Sequence, residues 1–172
     1  PTDSPLVVTL DNGATLTFAV GATAATSTAF DIQADDVYLD GETFTVAVGS
    51  YTGGDEFENL VTTDTADVVI SDTIDNTILT LEDVAVEEGA GTATISATLT
   101  SAPTDSPLVV TLDNGATLTF AVGATTATST AFDIQADDVY LDGETFTVAV
   151  GSYTGGDEFE NLVTTDTADV VV

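Results

Sequence analysis

The 172-residue chain carries 30 Asp and Glu and no Lys, Arg, His or Cys, giving a formal charge of -30. Without cationic side chains it cannot grip a nucleic-acid backbone or adsorb to anionic lipid. Without Cys or His it has no disulfide, thiolate site, cysteine nucleophile or imidazole base. Hydrophobic residues nevertheless make up 43% and fall in ordered alternation, which argues for a folded domain over acidic disorder. No apolar run reaches the ~20 residues of a spanning helix. The lack of a leader-like segment and of any Met leads us to expect an internal slice of a longer protein.

The strongest pattern is repetition. Residues 1–70 recur as 103–172, offset by 102, with two differences: Ala24 against Thr126 and Ile70 against Val172. A period of 102 is too long for a solenoid turn and matches one small β-sandwich domain. The expected organisation is a C-terminal part of one repeat over 1–70, a calcium-binding linker over 71–76, and a complete repeat over 77–172. On this reading the first copy lacks strands A and B and cannot bury a full core by itself.

In chain order, the complete copy predicts strand A near 77–86 and B at 92–99. C follows at 108–112, D at 116–122 and E at 129–135. F is placed at 145–150 and G at 167–172. These are short Val-, Thr-, Ile- and Phe-rich runs of period two, bounded by Gly, Asp, Asn and Pro. Inward positions are expected at Ile95 and Leu99, at Leu108, Val110 and Leu112, and at Leu118, Phe120 and Val122. Phe132, Ile134, Phe146, Val148, Val150, Val170 and Val172 complete the set. Asp113-Asn114-Gly115 signals a hairpin that needs positive φ, and Gly155-Gly156 reads as another. The fold class is all-β: an immunoglobulin-like sandwich of about seven strands with Greek-key connections.

If the strands alternate in direction, the acids sort onto the two ends of the sandwich. The A–B, C–D and E–F loops bring Glu87, Glu88, Asp113, Asp137, Asp138, Asp142 and Glu144 to one end. The B–C and F–G loops bring Asp105, Asp157, Glu158 and Glu160 to the other. Clustered carboxylates raise one another's pKa unless a cation neutralises them. A donor set of oxygens alone suits Ca2+ or Mg2+ and not zinc or copper. The bland alternative is a solvated acidic surface that keeps the protein soluble. At the linker, Asp72 and Asp75 are expected beside Asp35, Asp36, Asp40 and Glu42 of the first copy and Asp105, Asp157 and Glu158 of the second.

Enzymatic readings find little support. The acids sit in end loops without an evident cleft, and no Ser has a partner base. Tyr140 and Tyr153 could stack on a sugar, but loop tyrosines more often cover a core edge.

The segment Val86-Glu87-Glu88-Gly89-Ala90-Gly91-Thr92 resembles the opening of a Calx-β domain, and Asp137-Asp138 through Gly143-Glu144-Thr145-Phe146 resembles its acidic loop. That resemblance implies Ca2+ ligands at Glu88, Asp137, Asp138 and Glu144. The sequence departs from that family at Leu112-Asp113-Asn114-Gly115-Ala116. Over its whole length the chain resembles the extender repeats of giant repeats-in-toxin (RTX), LapA-type bacterial adhesins, including those of a marine ice-binding adhesin. The match rests on the period, the Asp72-Thr73-Ile74-Asp75 junction, the Leu112-to-Thr117 hairpin and the Asp142-Gly143-Glu144 loop. It implies several Ca2+ ions per repeat, adjacent identical repeats as partners, type I secretion and display on the bacterial surface. There the repeats would project a distal ligand-binding domain for attachment and biofilm formation, while ice or sugar binding belongs to other domains. A spacer without enzymatic activity or small-molecule substrate is therefore expected; the alternative is an adhesive module that binds glycan or protein directly.

Overall fold

The computed structural model describes residues 1–140 and 142–172; Leu141, in the predicted E–F loop, lies outside them. The chain divides into two units. The first comprises 1–35 and 41–71; the second comprises 36–40 and 72–172.

The first unit is one antiparallel sheet. Its strands are β1 (Leu6–Leu10), β2 (Thr15–Phe18), β3 (Thr43–Thr52) and β4 (Thr65–Val69), in the order β2-β1-β3-β4. Among the described residues no second sheet crosses its apolar face. That face lines an open groove of 490 Å³ bordered by Leu10, Leu16, Phe30, Val46 and Val68.

The second unit is a β-sandwich. One sheet runs β10-β9-β13-β15-β6: Thr117–Phe120, Leu108–Leu112, Thr145–Thr154, Thr167–Val171 and Val84–Ala85. The other runs β11-β8-β5-β14: Thr126–Thr128, Ser96–Leu99, Asn76–Leu81 and Asn161–Val163. A small ladder joins β7 (Thr92–Ala93) to β12 (Phe132–Asp133), and Glu88–Ala90 form one 3₁₀ turn. Leu79, Leu81, Ile95, Ala97 and Leu99 face Leu108, Val110, Leu118, Phe120, Val148 and Val170 in the core. Burying such side chains is worth about 1.5–3 kcal/mol each, the main force holding two sheets of a repulsive acidic chain together.

Strand C lies where the periodicity put it, and D, F and G keep their cores with shifted ends. Strand A is split: after Glu82-Asp83 the chain leaves β5 and β6 joins the opposite sheet, parallel to β15. Asp83 secures the crossing by accepting the Asp169 N–H at 2.8 Å. Strand B is broken in two, and within the expected strand E only β12 forms, β11 lying just before it. At the break, Ser129 Oγ accepts the Ile95 N–H at 2.9 Å in place of a ladder bond. Val122, expected inside, is 50% exposed. Its strand stops at Phe120, where Ala124 N–H turns back to the Ala121 carbonyl. Strand β14, unforeseen, pairs parallel with β5.

Both predicted turns differ in detail. Asp113-Asn114-Gly115 forms a three-residue loop with positive φ only at Gly115, closed by Leu112 N–H to the Ala116 carbonyl. Gly155 and Gly156 do not make a hairpin. Both take positive φ and steer the chain from β13 into the other sheet.

In β5 the alternation places Thr77 fully inside and Ile78 outside. The Thr77 Oγ1 has no hydrogen-bond partner. A buried hydroxyl left unpaired costs about 1–3 kcal/mol. Thr77→Val is therefore expected to raise the unfolding free energy by about 1 kcal/mol, measured by urea denaturation at unchanged m-value.

Candidate functional site

The acids fall into two groups by what the backbone does with them. Many are hydrogen-bond acceptors for main-chain amides, which substitute for the missing cationic partners. Asp113 Oδ1 accepts the Ala149 N–H at 3.2 Å, while its own N–H reaches the Ala149 carbonyl at 2.9 Å. Together these pin the turn against the bulge of β13. Asp36 and Asp138 close tight turns by accepting the N–H of Tyr38 and of Tyr140. Glu158 Oε1 accepts from Thr104 N–H at 3.2 Å. Glu42 and Glu144 contribute their carbonyls, each taking a 2.8 Å bond, from Ile70 and Val172 respectively, that continues the adjacent strand pairing.

The remaining predicted ligands are more open. Asp40, Glu87, Asp105 and Asp157 are exposed and Asp72 is half-buried, while Asp35 is engaged by a neighbour. Glu88 is the informative member. It sits half-buried on the 3₁₀ turn, and its carboxyl is held above the ordinary value of 4.5, by burial first and then by Asp142, Asp138 and Asp137. Glu88, on the A–B side, thus feels the charge of three aspartates of the predicted E–F loop. Among the described residues, no three acids are gathered into a ready-made metal cage.

The sign of this arrangement is testable. A raised folded-state pKa means that the folded protein prefers the protonated form. The stabilising contribution is complete below the unfolded value of 4.5 and disappears as pH rises through the folded value. Glu88→Gln is thus expected to melt higher than the parent at neutral pH in chelator, with the gap closing as the pH falls below 4.5. Circular-dichroism melts across pH read this out. Glu56 has the opposite sign: its own backbone amide and that of Thr2 hold its carboxyl below the usual range.

A second constellation lies at 36–40. Tyr38 stacks on Phe159 with ring centroids 5.7 Å apart. Its hydroxyl donates to the Ala102 carbonyl at 2.8 Å. Burial raises that hydroxyl's pKa, and Asp36 and Glu158 raise it further. The linker residue Asp75 donates its N–H to Glu160 Oε2 at 2.6 Å. Sequence reasoning overlooked Tyr38, which stands in no periodic run, while Glu160, placed with the entry-end acids of the F–G loop, does take up a backbone amide. Tyr140 and Tyr153, expected to cover the core edge, are both exposed.

An acidic all-β sequence that recurs in near-identical tandem defines a repeat module. The sequence matches the LapA domain over residues 1–73 and again over residues 75–172, and the chain belongs to that family. None of the curated proteins matches it. LapA domains mark large adhesin-type proteins of the cell surface, a family that is non-enzymatic in general.

Proposed function

We propose that these repeats are calcium-stiffened spacer modules of a secreted bacterial surface adhesin, projecting a distal binding domain for attachment and biofilm formation. The observation that carries this reading is the neighbourhood of Glu88, Asp137, Asp138 and Asp142 in a chain with no positive side chain to answer it. Oxygen donors alone, on loops, match the preferences of a hard divalent cation. Bound there, Ca2+ supplies the missing positive charge. Glu88 on its 3₁₀ turn and the three aspartates on the facing loop would hold it. On this reading the ion organises the acidic loop and does not fill a preformed cage. Asp72 and Asp75, on the connection between copies, extend the same logic to the linker.

Melting and small-angle scattering of the chain in CaCl2, MgCl2 and EDTA test this. Calcium at a hundredfold excess over Kd should add about 2.7 kcal/mol, a Tm rise on the order of 10 °C for a domain of this size. Chelation should reverse it and shorten the particle. Identical melting and scattering in calcium and in EDTA would overturn the spacer reading.

A further inference from the structure

Two of the chain's asparagines, Asn12 and Asn114, stand directly before a glycine. That pairing carries a chemistry unrelated to the acids. A glycine amide nitrogen that loses its proton to hydroxide can attack the side-chain carbonyl carbon of the preceding asparagine. The new C–N bond closes a succinimide ring, the bond to the side-chain nitrogen breaks, and ammonia leaves. Water then opens the ring at either carbonyl, giving aspartate or, where the chain now runs through Cβ, isoaspartate. A side chain on the following residue crowds the attack, so Asn59, Asn76 and Asn161, before Leu60, Thr77 and Leu162, are far less reactive.

The hairpin holds both reacting groups off this path. Bulk does not protect them: Asn114 and Gly115 are exposed, and Gly115, with φ of +86, has open space where a Cβ would stand. Hydrogen bonds do. The Gly115 N–H, whose proton must leave, is donated to the Leu112 carbonyl at 3.0 Å. The Asn114 side chain, which must turn its carbonyl carbon toward that nitrogen, is fixed by Oδ1 accepting the Ala116 N–H at 3.0 Å. Leu112 N–H closes the loop on the Ala116 carbonyl at 2.8 Å, and Asp113 ties it to Ala149 of β13 in both directions. Ala116 is buried, so the far end of the loop is anchored in the core. The first copy repeats the arrangement, with Gly13 N–H on the Leu10 carbonyl and Ala14 N–H on Asn12 Oδ1, both at 3.0 Å.

We propose that Asn114 is a conditional modification site: deamidation is suppressed while the hairpin is closed and proceeds once it opens. Two hydrogen bonds must break before the nitrogen and the carbon can meet, which slows the reaction by about tenfold or more. The product is an irreversible mark of opening. Aspartate keeps the oxygen that accepts the Ala116 N–H and adds a negative charge. Isoaspartate lengthens the main chain inside a three-residue loop and disrupts its closure by Leu112 and Ala116.

Incubating the whole chain in mildly alkaline buffer, folded and in concentrated urea with the same CaCl2, tests this. Cleavage before aspartate yields peptides 11–30 and 113–132, which Ala24 and Thr126 tell apart by mass. Exchange of the side-chain NH2 for OH is read as a mass gain, and the same protease cuts at a new aspartate but not at isoaspartate. In urea the peptide holding Asn114 should gain this mass steadily, while those holding Asn76 and Asn161 should not. In the folded chain the gain should be slower by about tenfold or more. Asp113→Ala, which removes the acceptor of the Ala149 N–H, should speed modification of Asn114 several-fold in the folded chain and leave the rate in urea unchanged. Circular dichroism verifies that the variant is folded. Equal rates in the folded chain and in urea, no modification in urea, or a folded Asp113→Ala variant as slow as the parent would overturn the proposal. Calcium is the same in both arms, so the outcome is independent of the spacer reading.

Discussion

Phe120→Ala should destabilise the second unit by about 3–5 kcal/mol, the cost of emptying a large buried aromatic site. Phe120 is fully buried between the two sheets. Its counterpart Phe18 has the same neighbours in sequence but is only half-buried, because no second sheet covers it among the described residues. Phe18→Ala should therefore cost about 1–2 kcal/mol, the value of partial burial. Denaturant unfolding of the two variants separates these figures. Equal losses would mean that the facing sheet of β5, β8, β11 and β14 does not hold Phe120 as described.

Gly155→Ala should cost about 2–5 kcal/mol for a different reason. Gly155 has φ of +81, where an L-residue loses about 1–2 kcal/mol. Its added Cβ would also run into the Pro107 carbonyl oxygen, a backbone atom that cannot swing aside. Forced overpacking of this kind adds about 1–3 kcal/mol. Gly53 has the same geometry against Pro5 in the first unit, so Gly53→Ala should be as harmful there. Core packing distinguishes the two copies, whereas this turn does not.

How legible the fold was depends on what each residue answers to. Leu108, Val110 and Leu112 announce themselves because period two and burial on one face coincide. Thr77 and Ile78 defeat the same rule: the polar residue points inward and the apolar one outward, since register follows the strand's pairing with β8. The split of strand A and the parallel strand β14 were invisible because they depend on contacts about 85 residues away, such as Asn161 to Asn76. At the acidic loops the sequence nominated Glu88, Asp137, Asp138 and Asp142, and the charge of the three aspartates helps to hold the Glu88 carboxyl above its ordinary value. It could not show that Asp113 and Asp36 would be occupied by main-chain amides. Turn chemistry explains these afterwards, but an aspartate before a loop looks the same whether it caps an amide or faces solvent.

The split strand bears on how the second unit carries load. β6 lies early in the unit and runs parallel to β15, its final strand. Traction on opposite termini drags these two strands past each other lengthwise. The pairs Val84–Val170 and Ala85–Val171, with Val86 N–H on the Val171 carbonyl, are then strained all at once and not peeled one by one. A spacer under tension, as proposed, would gain from that arrangement, because simultaneous shearing resists more tension than sequential unzipping of the same few bonds.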